Sequence, residues 1–427
     1  MKRLITMLAL AFAAVLATWA DGPFRQHRYS ALQALSTREG DMLFVGNSIT
    51  NMHPWREALG GDMRVKNRGN SGGFIEEISA NLETFLYQKP AKLFLAIGTN
   101  DLGVGEAPQQ VLDEMTVLVR RIKLESPKTQ IILSSIHPRG GLQNNAQRVA
   151  ETNKLLQMMC AAEGIAFVDT QGELAAIIDY DTVLTFDGVH LCSEGYKRWL
   201  NLLQPYTGIT SAYASQNLGK TIDEIRVASQ WGASHRMAQT YFAALPVEKS
   251  DVLFIGDEMV QGGEWAELLQ CPRIKGRGTG WGWPGAPLDL TLQSLPYILH
   301  DGAQPEHIIL YNGATEVQAS NGDLQQAKDT YRAIVEKIRL LCPSTRITVL
   351  SLLPCAKAKE RTEEFNAFLN TLGCQYIDLY TAFADENGAP RAEYMNGNYL
   401  YALGYVRLAE MLAPTIKGAK PLWNEKT

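Results

Sequence analysis

Met42-Leu43-Phe44-Val45-Gly46-Asn47-Ser48-Ile49-Thr50 is the stretch whose reading decides the fold. An apolar run that closes on a glycine and a small hydroxyl residue, with a helix-like segment behind it, describes a buried strand ending in a tight turn. Ser48 then stands at the carboxyl end of that strand. In an open parallel α/β sheet this is the edge where ligands bind, which makes Ser48 a candidate nucleophile. The competing use of a serine at such a spot is as N-cap of the following helix.

Outward from this strand, the first half of the chain alternates strand and helix signals. Strands are predicted at 42–45, 63–67, 92–97, 130–136 and 165–169, and amphipathic helices at 29–35, 55–59, 75–87, 108–124, 146–162 and 193–203. Alternating βα units with short connections imply a mostly parallel sheet covered by helices on both faces. The pattern then begins again. Asp41-Met-Leu-Phe-Val-Gly46 returns as Asp251-Val-Leu-Phe-Ile-Gly256, and Arg64-Val-Lys-Asn-Arg-Gly69 as Arg273-Ile-Lys-Gly-Arg-Gly278. Lys92-Leu-Phe-Leu-Ala-Ile-Gly98 matches His307-Ile-Ile-Leu-Tyr-Asn-Gly313, and Leu191-Cys-Ser-Glu-Gly-Tyr196 matches Leu400-Tyr-Ala-Leu-Gly-Tyr405. Offsets run from 209 (Arg64 to Arg273) to 216 (Ser126 to Cys342). Such a period reads as a tandem duplication of one fold. The chain of 427 residues is also too long for one ordinary core. The expected domains are 21–210 and 246–427, joined by a helical linker over 211–245.

Composition excludes several classes. With 46% hydrophobic and 20% charged residues the chain is globular, neither disordered nor fibrous. A net charge of −5 without a basic stripe argues against nucleic acid as a partner. Met1-Lys2-Arg3, the apolar run Leu4–Leu16 and the small residues closing at Ala20 outline a signal peptide over 1–20. The apolar run is too short to span a bilayer comfortably, so export to the periplasm or beyond, without stable membrane insertion, is the expectation. Six scattered cysteines do not make a disulfide scaffold, although they leave room for one bridge in the second half. No CxxC or HExxH pattern occurs and the seven histidines are dispersed, so no metal site and no cofactor are expected.

Four segments of the first half carry the chemistry: Gly46-Asn-Ser48-Ile, Arg68-Gly69-Asn-Ser, Ile97-Gly-Thr-Asn100-Asp and Phe186-Asp187-Gly-Val-His190-Leu. Together, in this order and each at a predicted strand end or sheet rim, they resemble the four blocks of the SGNH (GDSL-like) hydrolase family. Asn47 stands where the common GDSL spelling has Asp. The resemblance implies two tandem three-layer α/β/α domains of the SGNH/flavodoxin-like kind, the first of them catalytic. It implies a serine esterase with Ser48, Asp187 and His190 as catalytic residues, and the Ser48 and Gly69 amides and the Asn100 side chain as oxyanion donors. The residue chemistry agrees, since acyl transfer needs a nucleophile, a base, and a group that fixes the base's tautomer. Each residue also has a plainer use: Gly69 as a turn glycine, Asn100 as a helix cap, Asp187 and His190 as turn residues.

Three rivals stand in the same half. Gly69-Asn-Ser71-Gly-Gly73 satisfies the G-x-S-x-G elbow, but too few strands precede it for that fold. His137 ends a predicted strand and is a second rim histidine; Cys192 lies two residues past His190 and reads as packing. In the second copy Ser48 becomes Glu258, Asn100 becomes Thr315, Asp187 becomes Asn396 and His190 becomes Tyr399. A carboxylate there repels a developing oxyanion, so this copy is expected to be catalytically silent. Trp281, Trp283 and Tyr399 are candidate substrate-binding rings for a sugar, or else pack internally. The reading is an exported esterase acting on a small-molecule or glycan ester, with acetylated carbohydrate favoured. The alternatives are a lysophospholipase- or thioesterase-type acyl hydrolase and a non-catalytic glycan-binding protein.

Overall fold

The computed structural model describes residues 23–140, 143–179, 183–228, 231–279, 287–397 and 399–422. The signal-peptide expectation and the rings Trp281 and Trp283 lie outside the described residues. The chain divides into two compact units, 1–223 and 224–427.

The first unit is built on five parallel strands: β1 (Met42–Gly46), β2 (Val65–Gly69), β3 (Lys92–Ala96), β4 (Gln130–Ser134) and β5 (Ala166–Val168), in the order β2-β1-β3-β4-β5. Every residue of β1 is buried, as a central strand covered on both faces requires. In register with Met42 lie Val65 on one side and Lys92 on the other, so Gly46 and Gly69 end level at the same rim. Phe44 stacks between Trp55 and Phe94, with ring centroids 4.2 and 4.6 Å away. Offset stacks of this kind add to the area that each ring buries.

The expected elements are present, with boundaries moved for identifiable reasons. Two short helices occupy 75–87, Ile75–Ala80 and Leu82–Leu86, because Asn81 breaks the run and donates its side-chain amide to Glu77 O at 2.9 Å. The fourth strand stops at Ser134, since the backbone of Ile136 turns to bond both ends of the Asn153 side chain. None of the six cysteines is paired.

The second unit repeats the strand order. Its sheet contains β6 (Val252–Gly256), β7 (Ile274–Gly278), β8 (His307–Tyr311), β9 (Arg346–Leu350) and β10 (Gln375–Ile377), all parallel, in the order β7-β6-β8-β9-β10. A two-stranded hairpin, β11 (Met395–Asn396) with β12 (Tyr399–Leu400), follows. The stretch 211–245 holds two helices, Gly219–Ala228 and Ala233–Ala244, and the division between units falls inside the first. The helix Ala233–Ala244 packs on Leu288–Ile298 within the second unit, with Gln239 Nε2 donating to Ser294 Oγ at 3.0 Å. Among the described residues no helix is long and apolar enough to cross a membrane.

Candidate active site

The rim formed by β1, β2 and β3 collects the predicted residues. After β1 the chain turns into a four-residue helix, Ser48–Asn51, capped by Asn47, whose Oδ1 accepts from Ile49 N at 3.0 Å. The cap is therefore Asn47, which leaves the Ser48 hydroxyl for other work. Ser48 is half-buried, and its Oγ lies 2.8 Å from His190 Nε2.

The base is held by its own loop. An antiparallel bridge between Thr185 and Leu191 closes the loop, and Gly188 sits inside it at φ +79°, a left-handed position that other residues adopt only with strain. Asp187 Oδ1 accepts from the Val189 and His190 amides at 2.9 and 2.8 Å, so the carboxylate is fixed before it meets the ring. Its other oxygen, Oδ2, lies 2.7 Å from His190 Nδ1. Burial pushes the Asp187 carboxyl up, but the charge of His190 and these hydrogen bonds outweigh it and hold the group down to about 2. Asp187 is thus ionised and accepts from Nδ1–H, which places the lone pair of Nε2 toward Ser48. Asp187 does touch the imidazole directly, a point that the spacing alone leaves open.

Of the expected oxyanion donors, two keep an N–H unspent among the described residues. The Ser48 amide begins its helix and has no partner among the described residues. Asn100, half-buried, spends one amide hydrogen on Gly73 O at 2.9 Å and keeps the other. Gly69 needs correction. Its amide donates to Asn67 Oδ1 at 3.0 Å, so it is already engaged. The reason for glycine there is steric: a Cβ would lie 2.3 Å from Asn51 N, inside the helix that carries Ser48. In the following turn, Asn70 N donates to Gly46 O and Gly73 N to Asn70 O, which leaves the Ser71 and Gly72 amides without a bond among the described residues.

The rivals fall away. Ser71 is buried and its Oγ accepts from Asn51 Nδ2 at 3.0 Å, with no base bonded to it among the described residues. His137 is buried edge-on to Trp199, ring centroids 4.5 Å apart, and burial pushes it down to about 3. Cys192 is fully buried. The only described carboxylate cluster that could hold a cation is Asp101, Glu106 and Glu114, with one oxygen each within 4.8 Å of the others. Asp101 in it caps the helix Ile75–Ala80 through Ile75 N at 3.0 Å, as Glu316 caps Leu288–Ile298 through Leu288 N at 2.7 Å. That shared contact marks Asp101 as a framework residue.

At the matching rim of the second unit, Asp257 caps the helix Glu258–Gly262 and is buried. Burial and the neighbouring carboxylate of Glu258 raise its carboxyl well above the usual range. Burial, then the charge of Glu258, also raises the Tyr399 phenol. An acid and a phenol cannot repeat the alcohol–imidazole relay.

Residues 44–198 match the model of the GDSL-like lipase/acylhydrolase family. No curated protein matches the chain. Among solved structures, it is similar to a putative platelet activating factor from Streptococcus pneumonia, with 26% identity and a TM-score of 0.40, over 46% of this chain and 98% of that one. A GDSL-like lipase from Bacteroides thetaiotaomicron matches at 21% identity and a TM-score of 0.37, over 43% and 98%. An acetylxylan esterase from Geobacillus stearothermophilus, solved as a catalytic mutant, matches at 19% and 0.35, over 41% and 97%. The first unit thus carries a GDSL-like lipase/acylhydrolase domain. With its Ser48–His190–Asp187 relay this domain is a serine ester hydrolase.

Proposed function

We propose that this protein is an exported serine esterase that removes small acyl groups, acetyl first among them, from carbohydrate. The observation that carries the substrate class is the chemistry around Ser48. Four polar side chains tie this rim together: Asn51 and Ser71, buried and bonded to each other, and Asn67 and Asn100, half-buried and bonded to the Asn51 and Gly73 carbonyls. Gly69 packs its backbone directly on the Ser48–Asn51 helix, so the rim is crowded as well as polar. Such a wall suits a short acyl group on a hydroxyl-rich alcohol better than a lipid tail, which needs apolar area.

The reaction follows from the hydrogen bonds. Ser48 Oγ attacks the ester carbonyl while His190 Nε2 takes its proton, and Asp187 stabilises the imidazolium that forms. The Ser48 amide and the free hydrogen of Asn100 donate to the oxyanion, with the Ser71–Gly72 turn as the source of a further donor. His190 then protonates the departing sugar oxygen. Water, deprotonated by the same nitrogen, releases the acid from Ser48.

In the second unit, Glu258 and Tyr399 replace the relay, and we assign this unit a non-hydrolytic role as a degenerate copy of the first. Sugar binding through Tyr399 together with Trp281 and Trp283 is part of the same proposal. Turnover of acetylated xylo-oligosaccharides set against long-chain p-nitrophenyl esters tests the assignment. Preference for the acetylated sugar by tenfold or more supports it, and faster cleavage of the long chains transfers the site to lipid chemistry.

A further inference from the structure

The helix Pro23–Ala34 precedes the sheet and contributes nothing to the relay, yet its two buried arginines reach the rim. Arg28, 1% exposed, donates Nε–H to Gly69 O at 3.1 Å. Three residues earlier, the Arg25 carbonyl accepts from Asn70 Nδ2 at 3.2 Å. The Arg25 guanidinium pairs with Glu77 and lies over the Phe74 ring, 5.4 Å from its centroid. A Cβ on Gly72 would touch the Arg25 stem at 3.6 Å. The turn from Gly69 to Phe74 is therefore held from three sides: by Asn51 through Ser71, by Asn100 through Gly73, and by this helix through Gly69 and Asn70.

A burial this complete is costly for a guanidinium unless its contacts serve a purpose that an apolar residue would not. The second unit supplies a comparison within the molecule. In the register that pairs Asp41 with Asp251, Arg25 corresponds to His235 and Arg28 to Ala238. The helix Ala233–Ala244 is kept and His235 Nδ1 still bonds Thr279 O at 2.9 Å, but neither of the two positions holds an arginine. The fold survives there without the arginines, in the copy that has also lost the serine and the histidine.

We propose that Arg28, supported by Arg25, is a positioning residue of the esterase site: it fixes the peptide between Gly69 and Asn70 and so aims the amides of the following turn at the oxyanion. The proposal rests on the esterase reading of Ser48. Its mechanism is fixed geometry, since the Nε–H of a packed, planar guanidinium holds a carbonyl where an ammonium on a flexible stem does not. Charge stabilisation of this kind acts on turnover and leaves ground-state binding largely alone.

The test uses the full chain and p-nitrophenyl acetate, with Arg28→Ala and Arg28→Lys compared by kcat, KM, thermal midpoint and the rate of fluorophosphonate labelling at Ser48. The expected result for Arg28→Ala is a loss on the order of 10² in kcat with KM changed by less than about threefold. Labelling slows in parallel, added methylguanidinium recovers part of the loss in Arg28→Ala, and Arg28→Lys stays well below wild type. A folded Arg28→Ala protein with kcat within about threefold of wild type, or one whose loss lies in KM, overturns the proposal. Failure of both variants to fold assigns Arg28 to the scaffold and overturns it too. A wild-type protein that neither turns over ester nor labels at Ser48 sinks the esterase reading itself, and the proposal with it.

Discussion

Replacing Asp187 by Asn is the perturbation that tests the relay most searchingly, because it removes a charge and leaves the shape. Asp187 Oδ1 accepts two backbone N–H groups, from Val189 and His190, while Oδ2 faces His190 Nδ1. The asparagine must keep its oxygen toward the two amides, since turning its NH₂ there would set donor against donor. Two half-buried bonds would be lost, each costing about 1 kcal/mol. Its NH₂ therefore faces Nδ1, which must then carry the lone pair, and the ring proton moves to Nε2. Nε2 now donates to Ser48 Oγ across the 2.8 Å contact and can no longer take its proton. Loss of the right tautomer, together with loss of the carboxylate's stabilisation of the imidazolium, predicts a fall of about 10⁴ in kcat, or roughly 5 kcal/mol of barrier. Steady-state hydrolysis of p-nitrophenyl acetate reads the change directly, with near-ultraviolet circular dichroism to show that the loop is intact. An Asp187→Asn protein within tenfold of wild type would mean that the proton arrangement deduced from the loop is wrong.

Further expectations can be checked with the same preparations. Ser48→Ala should leave no measurable turnover above about 10⁻⁴ of wild type, which also requires the second unit to be inactive; any residual saturable activity points to Glu258 and its neighbours. Ser71→Ala should keep kcat within about tenfold and lose about 1–3 kcal/mol of stability by denaturant titration, because Asn51 Nδ2 is left unpaired in a buried place. Gly69→Ala sets a Cβ against the backbone of Asn51 and should cost about 1–3 kcal/mol or more in the same titration, with activity falling as the Ser48 helix is displaced. The Asp187 carboxyl is held at about 2 against an ordinary 3.8, so its stabilisation is present above about 4 and is lost as pH falls through 2. Acid unfolding of Asp187→Asn should therefore be flatter than wild type between these values; an identical acid limb would show that the carboxylate does not stabilise the fold.

Much of this was legible in the sequence because strands and rim residues announce themselves locally. The apolar runs at 42–46 and 252–256 end on glycine and fix both sheets, and the Asp187–His190 spacing places both groups in one loop. The repeated strand order was likewise foreshadowed by the recurring segments. The engagement of the Gly69 amide by Asn67, two residues back, is a side-chain contact that no periodicity reveals. The helices Ser48–Asn51 and Thr99–Val104 are shorter than any amphipathic window, so they left no signal. Arg25 and Arg28 carry no local signal for a different reason. Charged residues on a short leading helix usually face water, and only the tertiary fold shows these two buried against the turn after β2.

Peptide mapping after reaction with a fluorophosphonate tests the central claim most directly, since the reagent reports an alcohol activated by a base beside an oxyanion site. The account predicts a single modified peptide carrying the adduct on Ser48, absent in His190→Ala and abolished with ester turnover. An adduct on Ser71 or another serine, or full esterase activity in protein whose Ser48 stays unmodified, would contradict it.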